Sequence, residues 1–275
     1  MTEENAELES LPPPRPTGFT ADVGRGALDL FEAARSLWSV FRRTLYWTFR
    51  GPAEPGAAVR ACFEIGNRSV FFLSVTMGFI GMILVFQSAL QALRVVPDLT
   101  MLGATYLEVL VRDLAASIGA MMLATRVGAG IAAEIGSMVV TEQVDALRMS
   151  GVDPVNYLIV PRFKASLIMT GVLIIWAGAV SFGAGAATAY FLFDVRLDTF
   201  ANPVLLDRGD VIIGLAKCVA YGAAIPIVSG WCGLGTLGGS EGVGWATTRA
   251  VVNSSLAVIV LNFFISSVGF LLFPT

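Results

Sequence analysis

The chain has 275 residues, of which 55% are hydrophobic and only 14% are charged, with a formal net charge of −3 and a mean hydropathy of +0.73. Soluble domains carry about a quarter charged residues, so a soluble globule of this composition would leave too much apolar side chain uncovered, and a net charge this small does not favour nucleic-acid binding. The sequence has no histidine and three isolated cysteines, which disfavours a metal centre or a disulfide framework. The composition therefore indicates an integral membrane protein.

The N-terminal 50 residues divide into a polar tail and a helix. Residues 1–26 are polar and contain four prolines, so we expect a flexible tail that is not a signal peptide. Within 27–50, apolar residues recur every three or four positions, at Phe31, Ala34, Trp38, Phe41, Leu45 and Phe49. This pattern, with arginines on the other faces, predicts an amphipathic helix in the headgroup layer of a membrane. The alternative is a helix packed on a soluble domain.

Five apolar stretches follow, each long enough to cross about 30 Å of hydrocarbon. We predict transmembrane helices at about 69–93, 101–125, 158–193, 209–230 and 250–273. The second stretch differs from the others because it carries Glu108, Arg112 and Asp113, and the fourth contains Lys217. The predicted fold class is an all-α integral membrane protein with an interfacial helix and five spans.

The distribution of Lys and Arg orients these spans. With the N-terminus in the cytoplasm, the basic residues of the inner side are Arg50, Arg60, Arg68, Arg126, Arg148, Arg162, Lys164 and Arg249. The outer side then holds only Arg94, Arg196 and Arg208 near the spans. The sequence therefore predicts a cytoplasmic N-terminus and a periplasmic C-terminus.

The long segment between the second and third spans predicts a short cytoplasmic helix at 141–149. Thr141 can cap its start, and Glu142 in the first turn and Arg148 in the last turn suit the helix dipole. Gly151 can adopt the left-handed conformation that ends a helix. Because two turns of helix are not stable alone, this helix must dock on its own protein or on a partner; the alternative is a surface helix that only links two spans.

Charged side chains within spans are expected to have partners or to face water, since each costs about 2.5–3.5 kcal/mol in hydrocarbon. We predict that Asp113 pairs with Lys217 across the second and fourth spans. Two roles remain open: Arg112 or Lys217 holds the anionic headgroup of a lipid, or the ion pair fixes helix packing. Asn262 in the fifth span is expected to hydrogen-bond across a dimer or to the first span.

Three segments carry a resemblance to a known family. EIGSMVVTEQVDALRMSGVDPVNYLIVPR, at 134–162, resembles the signature loop of the MlaE/YrbE family of bacterial lipid ABC transporter permeases. ATTRAVVNSSLAVIVLNF, at 246–263, is similar to a second family segment. In LEVLVRDLAAS the family typically has Arg followed by Glu, whereas this chain has Asp113 after Arg112. The resemblance covers about residues 27–275.

The resemblance implies a homodimeric permease bound to two cytoplasmic ATPase subunits, with 27–50 as an elbow helix and 141–149 as a coupling helix. The residues expected to face the ATPase are Glu134, Thr141, Glu142, Gln143, Asp145, Ala146, Leu147, Arg148 and Arg249. The first span would line a dimer cavity for acyl chains, and the expected lipid-binding residues are Phe79, Met82, Phe86, Arg112, Asp113, Lys217 and Asn262. For the first-span residues, the alternative is plain lipid-facing surface.

The chain itself carries no machinery for ATP hydrolysis. Its only lysines are Lys164 and Lys217, and neither lies in a glycine-rich phosphate-binding loop. We therefore expect a non-enzymatic subunit without a cofactor, with ATP bound by a partner. The resemblance implies that this subunit moves phospholipid or a related lipid between the bacterial inner membrane and an MCE-domain carrier. A small STAS-type accessory protein is a further expected partner. One alternative is an ATP-independent secondary transporter or channel. Another is an intramembrane enzyme, although the lack of histidine argues against it.

Overall fold

The computed structural model describes residues 19–51, 56–95 and 99–273, and every regular element within these ranges is helical. The all-α prediction is therefore confirmed for this part of the chain. The helices are α1 (Phe19–Arg50), α2 (Ala57–Val95), α3 (Leu102–Val109, Ala115–Leu123 and Ala129–Val140), α4 (Gln143–Met149), α5 (Val160–Phe193), α6 (Leu197–Phe200), α7 (Arg208–Leu234) and α8 (Gly239–Leu272). Two π-helical turns, Leu110–Leu114 and Ala124–Gly128, join the three stretches of α3, and a third, Val155–Ile159, precedes α5.

The chain divides into two compact units after Ser39, and helix α1 has residues in each of them. It begins at Phe19 and so includes the last residues of the predicted tail, while residues 1–18 lie outside the described residues. In the first unit, Phe31 and Trp38 are exposed. In the second unit, which starts at Val40, the helix exposes Phe49. Exposed aromatic side chains of this kind suit a helix that lies in a headgroup layer.

Among the residues that the structure describes, four helices are long and apolar enough to span a membrane: Ala57–Arg94, Val155–Phe193, Arg208–Leu234 and Gly239–Leu272. They contain the predicted first, third, fourth and fifth spans, and they identify a multi-pass membrane protein. The predicted second span, 101–125, lies in α3 and is not one of the four. Its π-helical turns limit the uninterrupted α-helical stretches of α3 to 8, 9 and 12 residues, so a fifth crossing stays a prediction.

The bundle is built around α7, which packs against α3, α5 and α8, while α2 lies along α5. The α2–α5 pair approaches closely where glycine replaces a larger side chain. A Cβ on Gly81 would overlap the backbone of Ser181, and one on Gly185 would overlap the side chain of Val85. Small residues allow such close packing between helices in lipid, where the apolar surroundings give little drive for association.

One end of the bundle is closed by aromatic side chains. Phe200 of α6 is buried, and its ring packs against the rings of Tyr106 and Phe182. The hydroxyl of Tyr106 also hydrogen-bonds the hydroxyl of Ser181 over 2.9 Å. The short helix between α5 and α7 is therefore fixed to α3 and α5, which positions the start of α7 next to the first π-helical turn.

Candidate functional site

A cluster of polar side chains lies between α3, α7 and α8 inside the bundle. Lys217 of α7 is fully buried, and its ammonium group donates a hydrogen bond to Asp113 Oδ1 over 2.5 Å. Ser117, one turn along α3, donates to the same oxygen over 3.0 Å. The side chain of Asp113 is 44% exposed, so the pair reaches from the core to an open surface. The predicted pairing of Asp113 with Lys217 is confirmed.

A second ion pair joins α3 to the start of α7. Arg112 Nη1 lies 3.2 Å from Asp210 Oδ1, and the side chain of Asp210 is only 5% exposed. Asp210 also accepts a hydrogen bond from the backbone N–H of Asp207, which forms a capping box at the start of α7. The sequence analysis did not identify Asp210 as the partner of Arg112. The signal it missed was the Asp-x-x-Asp pattern at the beginning of the helix.

Arg112 and Asp113 both lie in the π-helical turn Leu110–Leu114. Adjacent residues on a helix point about 100° apart, and here they bind two different residues of α7, Asp210 and Lys217. Those two residues are seven positions apart and therefore share one face of α7. The positive Arg112 of the turn therefore meets the negative Asp210 of α7, and the negative Asp113 meets the positive Lys217. π-helical turns are rare and often occur at functional sites.

Asn262 joins the cluster from α8. Its Oδ1 accepts a hydrogen bond from the hydroxyl of Tyr221, over 2.9 Å, and Tyr221 lies one turn after Lys217 on α7. The expectation that Asn262 bonds to the first span is therefore wrong within this chain. The partner is in the fourth span because α7, and not α2, packs along α8. A bond across a dimer stays a prediction.

The predicted acyl-chain residues of α2 lie apart from this cluster. Phe79 is 59% exposed, Met82 is half-buried, and the exposed ring of Phe86 faces the ring of Phe193 at 6.0 Å. Val85 and Ala89, by contrast, are fully buried. The side of α2 that carries Phe79 and Phe86 therefore points away from the core, where lipid or a second copy of the chain can contact it.

A largely apolar pocket of about 500 Å³ lies between α3, α5 and α7. Leu110 from the π-helical turn, Ile174 and Gly178 from α5, and Leu215 and Cys218 from α7 are among its lining residues. Cys218 directly follows Lys217 along α7. The sequence analysis did not find this pocket because its lining comes from three helices, and each helix alone has only an ordinary apolar pattern.

Helix α4 docks on its own chain with one side and exposes the other. Val144 is buried, whereas Asp145 and Ala146 are exposed and Met149 is 91% exposed. Arg148 donates to Asp145 Oδ1 over 2.8 Å along the exposed surface. Since a two-turn helix is not stable without docking, the burial of Val144 supplies an anchor. The rest of the helix is left free to contact a partner.

The caps of α4 differ in part from the prediction. Thr141 does not cap its start: the hydroxyl of Thr141 donates to the carbonyl oxygen of Ser137, over 2.9 Å, and so belongs to the end of α3. The residue before α4 is Glu142, in the left-handed conformation with φ of 60° and without a side-chain cap. At the other end, Gly151 has φ of 77°, and Val152 N–H reaches the carbonyl oxygen of Leu147. The predicted ending of α4 at Gly151 is confirmed as a Schellman motif.

The loop after α4 is tied to α1. Asp153 accepts hydrogen bonds from Arg43 over 2.6 Å, from the indole of Trp47 over 2.9 Å and from the backbone N–H of Val155 over 2.9 Å. Burial raises the pKa of Asp153, but these hydrogen bonds outweigh it and hold that pKa below its ordinary value. The sequence analysis did not identify this clamp, which joins an amphipathic helix to the loop of the short helix.

The two residues outside 141–149 that were predicted to face an ATPase have partners within the chain. Glu134 forms an ion pair with Arg162 at the start of α5, although its side chain is still 48% exposed. The guanidinium of Arg249 lies over the ring of Trp231 at 5.9 Å from its centroid. Both residues therefore brace the same end of the bundle. Contact of either with another protein stays a prediction.

The sequence is similar to one protein family and to several individual proteins. The sequence model of the family described as Permease MlaE matches residues 58–268. A probable ABC transporter permease protein of Synechocystis is 38% identical over 204 residues, which cover 74% of this chain and 77% of that protein. The intermembrane phospholipid transport system permease protein MlaE of Haemophilus influenzae is 32% identical over 256 residues, covering 92% and 97%. The chloroplastic protein TRIGALACTOSYLDIACYLGLYCEROL 1 of Arabidopsis thaliana is 31% identical over 207 residues, covering 74% and 59%.

Proposed function

The chain belongs to the MlaE permease family, and we propose that it is the membrane-spanning subunit of an ATP-driven transporter that moves phospholipid or a related lipid between the inner membrane and an MCE-domain carrier. The family match over 58–268 carries this proposal, because it includes both the polar cluster and the loop with α4. Relatives that match over most of this chain are named as ABC transporter permeases. ATP hydrolysis takes place on a separate subunit, since this sequence has no phosphate-binding loop.

Helix α4 is the proposed contact with the ATPase. Its exposed side carries Asp145, Ala146 and Met149, while Val144 holds it against the bundle. A force applied to the exposed side therefore reaches α3 directly. The Schellman motif at Gly151 and the clamp of Asp153 on α1 transmit the same displacement to the interfacial helix. Glu134 and Arg249 stabilise the adjoining end of the bundle.

Two copies of the chain form the proposed lipid pathway. Large apolar side chains remain exposed on α2 and α8, including Phe79, Phe86 and Phe263. Exposed apolar surface of this extent suits contact with lipid tails or with a second copy of the chain. A homodimer built on these faces encloses a cavity in which Phe79, Met82 and Phe86 contact acyl chains. Such contacts are non-directional and so tolerate chains of different length.

The polar cluster is the proposed site of conformational coupling or headgroup contact. Arg112 is partly exposed and Asp113 is nearly half-exposed, so both reach solvent-accessible space from the core. Binding of ATP to the ATPase partner acts by stabilising one of two arrangements of α3 against α7, because a ligand shifts an equilibrium only when it favours one of the two states. The π-helical turn Leu110–Leu114 is the place where α3 can change its register at low cost.

The proposed orientation places the N-terminus and α4 in the cytoplasm, and the C-terminus and α6 in the periplasm. The excess of Arg and Lys at the α4 end supports this orientation. It requires α3 to cross the membrane as a fifth span, which its paired charges permit because Arg112 and Asp113 are neutralised within the bundle. The periplasmic side then receives the MCE-domain carrier, and a STAS-type protein joins the ATPase side.

The proposal is tested by purifying the chain with its co-expressed ATPase and MCE proteins and reconstituting the complex in proteoliposomes. We expect a stable complex and lipid transfer to or from the MCE protein that requires hydrolysable ATP. Transport by the chain alone without nucleotide would contradict the proposal and support a secondary transporter. Mass spectrometry of the lipids retained by the complex would identify the substrate class.

A further inference from the structure

A charged pocket of about 180 Å³ lies at the end of the bundle near α4, away from the polar cluster. It is formed by α2, α3 and the start of α5. Three arginines and two glutamates line it together with small and apolar residues; these are Arg68, Arg126, Arg162, Glu64 and Glu134. The three guanidinium groups exceed the two carboxylates by one positive charge. The pocket therefore carries a net charge that suits a single negative charge.

The arginines of this pocket are only partly engaged by the chain. Arg162 forms the ion pair with Glu134 described above. Arg126 uses its Nε to donate to the backbone carbonyl of Arg68, over 2.6 Å, which leaves its terminal amino groups available. The guanidinium of Arg68 has no hydrogen bond or ion pair to any residue that the structure describes. Two arginines thus present unused donors to the same pocket.

A buried hydroxyl in the pocket also lacks a partner. Ser69 lines the pocket and is 1% exposed, and its Oγ has no hydrogen-bond partner within the described residues. Leaving a buried hydroxyl unpaired is costly, so native proteins rarely do so without a reason. Gly130 on the opposite wall has open space where a Cβ would lie. An oxyanion seated here would accept hydrogen bonds from both the serine and the arginines.

We propose that this pocket binds a singly charged phosphate group through Arg68, Arg126 and Ser69. Arginine suits this ligand because its planar guanidinium donates two parallel hydrogen bonds to phosphate oxygens. The headgroup of an anionic phospholipid and a free phosphate present the same chemistry to the pocket. The orientation proposed above puts the pocket in the cytoplasmic leaflet, but binding itself does not depend on transport or on an ATPase.

The first test uses the full-length protein, purified in detergent, and native mass spectrometry with added phosphatidylglycerol. Arg68→Gln removes an exposed donor without breaking a contact described here, and we expect it to weaken lipid binding about tenfold. Arg94→Gln, an exposed arginine at the other end of α2, is the matched control and should leave binding unchanged. Gly130→Leu fills the open space and should weaken binding without removing a charge. Thermal unfolding of each variant confirms that it is folded.

The second test separates the two sources of phosphate by titrating the same variants with inorganic phosphate in a calorimeter. Loss of phosphatidylglycerol binding in Arg68→Gln supports a lipid headgroup as the ligand. Loss of a saturable affinity for inorganic phosphate, with lipid binding unchanged, supports a free phosphate. If Arg68→Gln and Gly130→Leu bind both probes as well as Arg94→Gln does, the pocket is a surface ion-pair cluster and the inference is wrong. Neither result depends on whether the chain transports lipid.

Discussion

Lys217 on α7 is fully buried, and its ammonium nitrogen lies 2.5 Å from Asp113 Oδ1 on α3. Ionised groups are costly to bury, and a buried pair offsets that cost only when both members are present. The pair also lies where α3 is π-helical, in the predicted span that carries several charges. Lys217 and Asp113 therefore join α7 to α3 at this turn, and we predict that the pair fixes how the two helices pack.

Replacing Lys217 alone should destabilise the protein. Lys217→Met leaves the carboxylate of Asp113 without its cation, but that side chain is 44% exposed and can still be solvated. The loss should therefore be smaller than the ~3–5 kcal/mol that removal of one partner costs in a fully buried pair. The double variant Asp113→Asn, Lys217→Met removes both charges and should recover most of that loss. Denaturant unfolding in detergent measures the loss of stability in the single and in the double variant. Equal destabilisation by the single and the double variant would show that the pair does not fix the packing.

The same double variant separates the two roles proposed for the cluster. If the pair only fixes packing, the double variant, once stable, transports lipid in proteoliposomes at the normal rate. If Lys217 holds a headgroup, the stable double variant transports poorly. Arg112→Gln is the companion variant, because Arg112 is partly exposed and its partner Asp210 keeps its hydrogen bond to Asp207.

The sequence predicted the pairing of Lys217 with Asp113 because buried opposite charges on neighbouring spans have few other partners. It did not predict Asp210 or Tyr221, since those contacts depend on the rotation of α7, which hydropathy does not report. The predicted spans were also shorter than the helices: α2 begins at Ala57 and α8 at Gly239, well before the apolar stretches at 69 and 250. Hydropathy marks the part of a helix in hydrocarbon, whereas backbone hydrogen bonds continue the helix into water.

A charge on the exposed side of α4 should separate the chain from its ATPase without unfolding it. Met149 is 91% exposed, so Met149→Asp introduces no buried charge into the isolated chain. We expect the variant to fold normally, to lose most of the ATPase in co-purification and to lose ATP-dependent lipid transfer. Met101→Asp, at an exposed methionine before α3, is the control that should keep the complex. A normal complex with Met149→Asp would place the ATPase contact elsewhere.

Gly151 should tolerate no side chain without a cost in stability. It has φ of 77°, and a left-handed conformation costs an L-residue about 1–2 kcal/mol. Gly151→Ala should therefore loosen the Schellman motif and increase hydrogen exchange at Val152 and at the end of α4. Gly244→Ala is the matched control, because Gly244 is helical and has open space around its Cβ position. That variant should be neutral or slightly stabilising; equal exchange in both variants would contradict the role given to Gly151.

The clamp of Asp153 on α1 should depend on pH in a defined direction. Its hydrogen bonds to Arg43, Trp47 and Val155 hold the pKa of Asp153 below the ordinary value, despite the opposing effect of burial. A group whose pKa is lower in the folded state adds stability above its unfolded pKa, and this stability is lost as the pH falls through the folded pKa. Protection of residues 40–50 from hydrogen exchange should therefore be constant from about pH 5 to 8 and fall in more acidic solution.

Substitution at Asp153 tests the same clamp at neutral pH. Asp153→Asn keeps the shape of the side chain but removes the charge that Arg43 binds over 2.6 Å. For a partly exposed pair the loss is about 1 kcal/mol, which is a fivefold increase in exchange over residues 40–50. Asp198→Asn breaks only the exposed pair with Arg196 and should leave exchange unchanged. Because the clamp joins α1 to the loop that follows α4, weaker protection in Asp153→Asn should be accompanied by slower ATP-dependent transfer. Unchanged transfer would show that α1 does not take part in coupling.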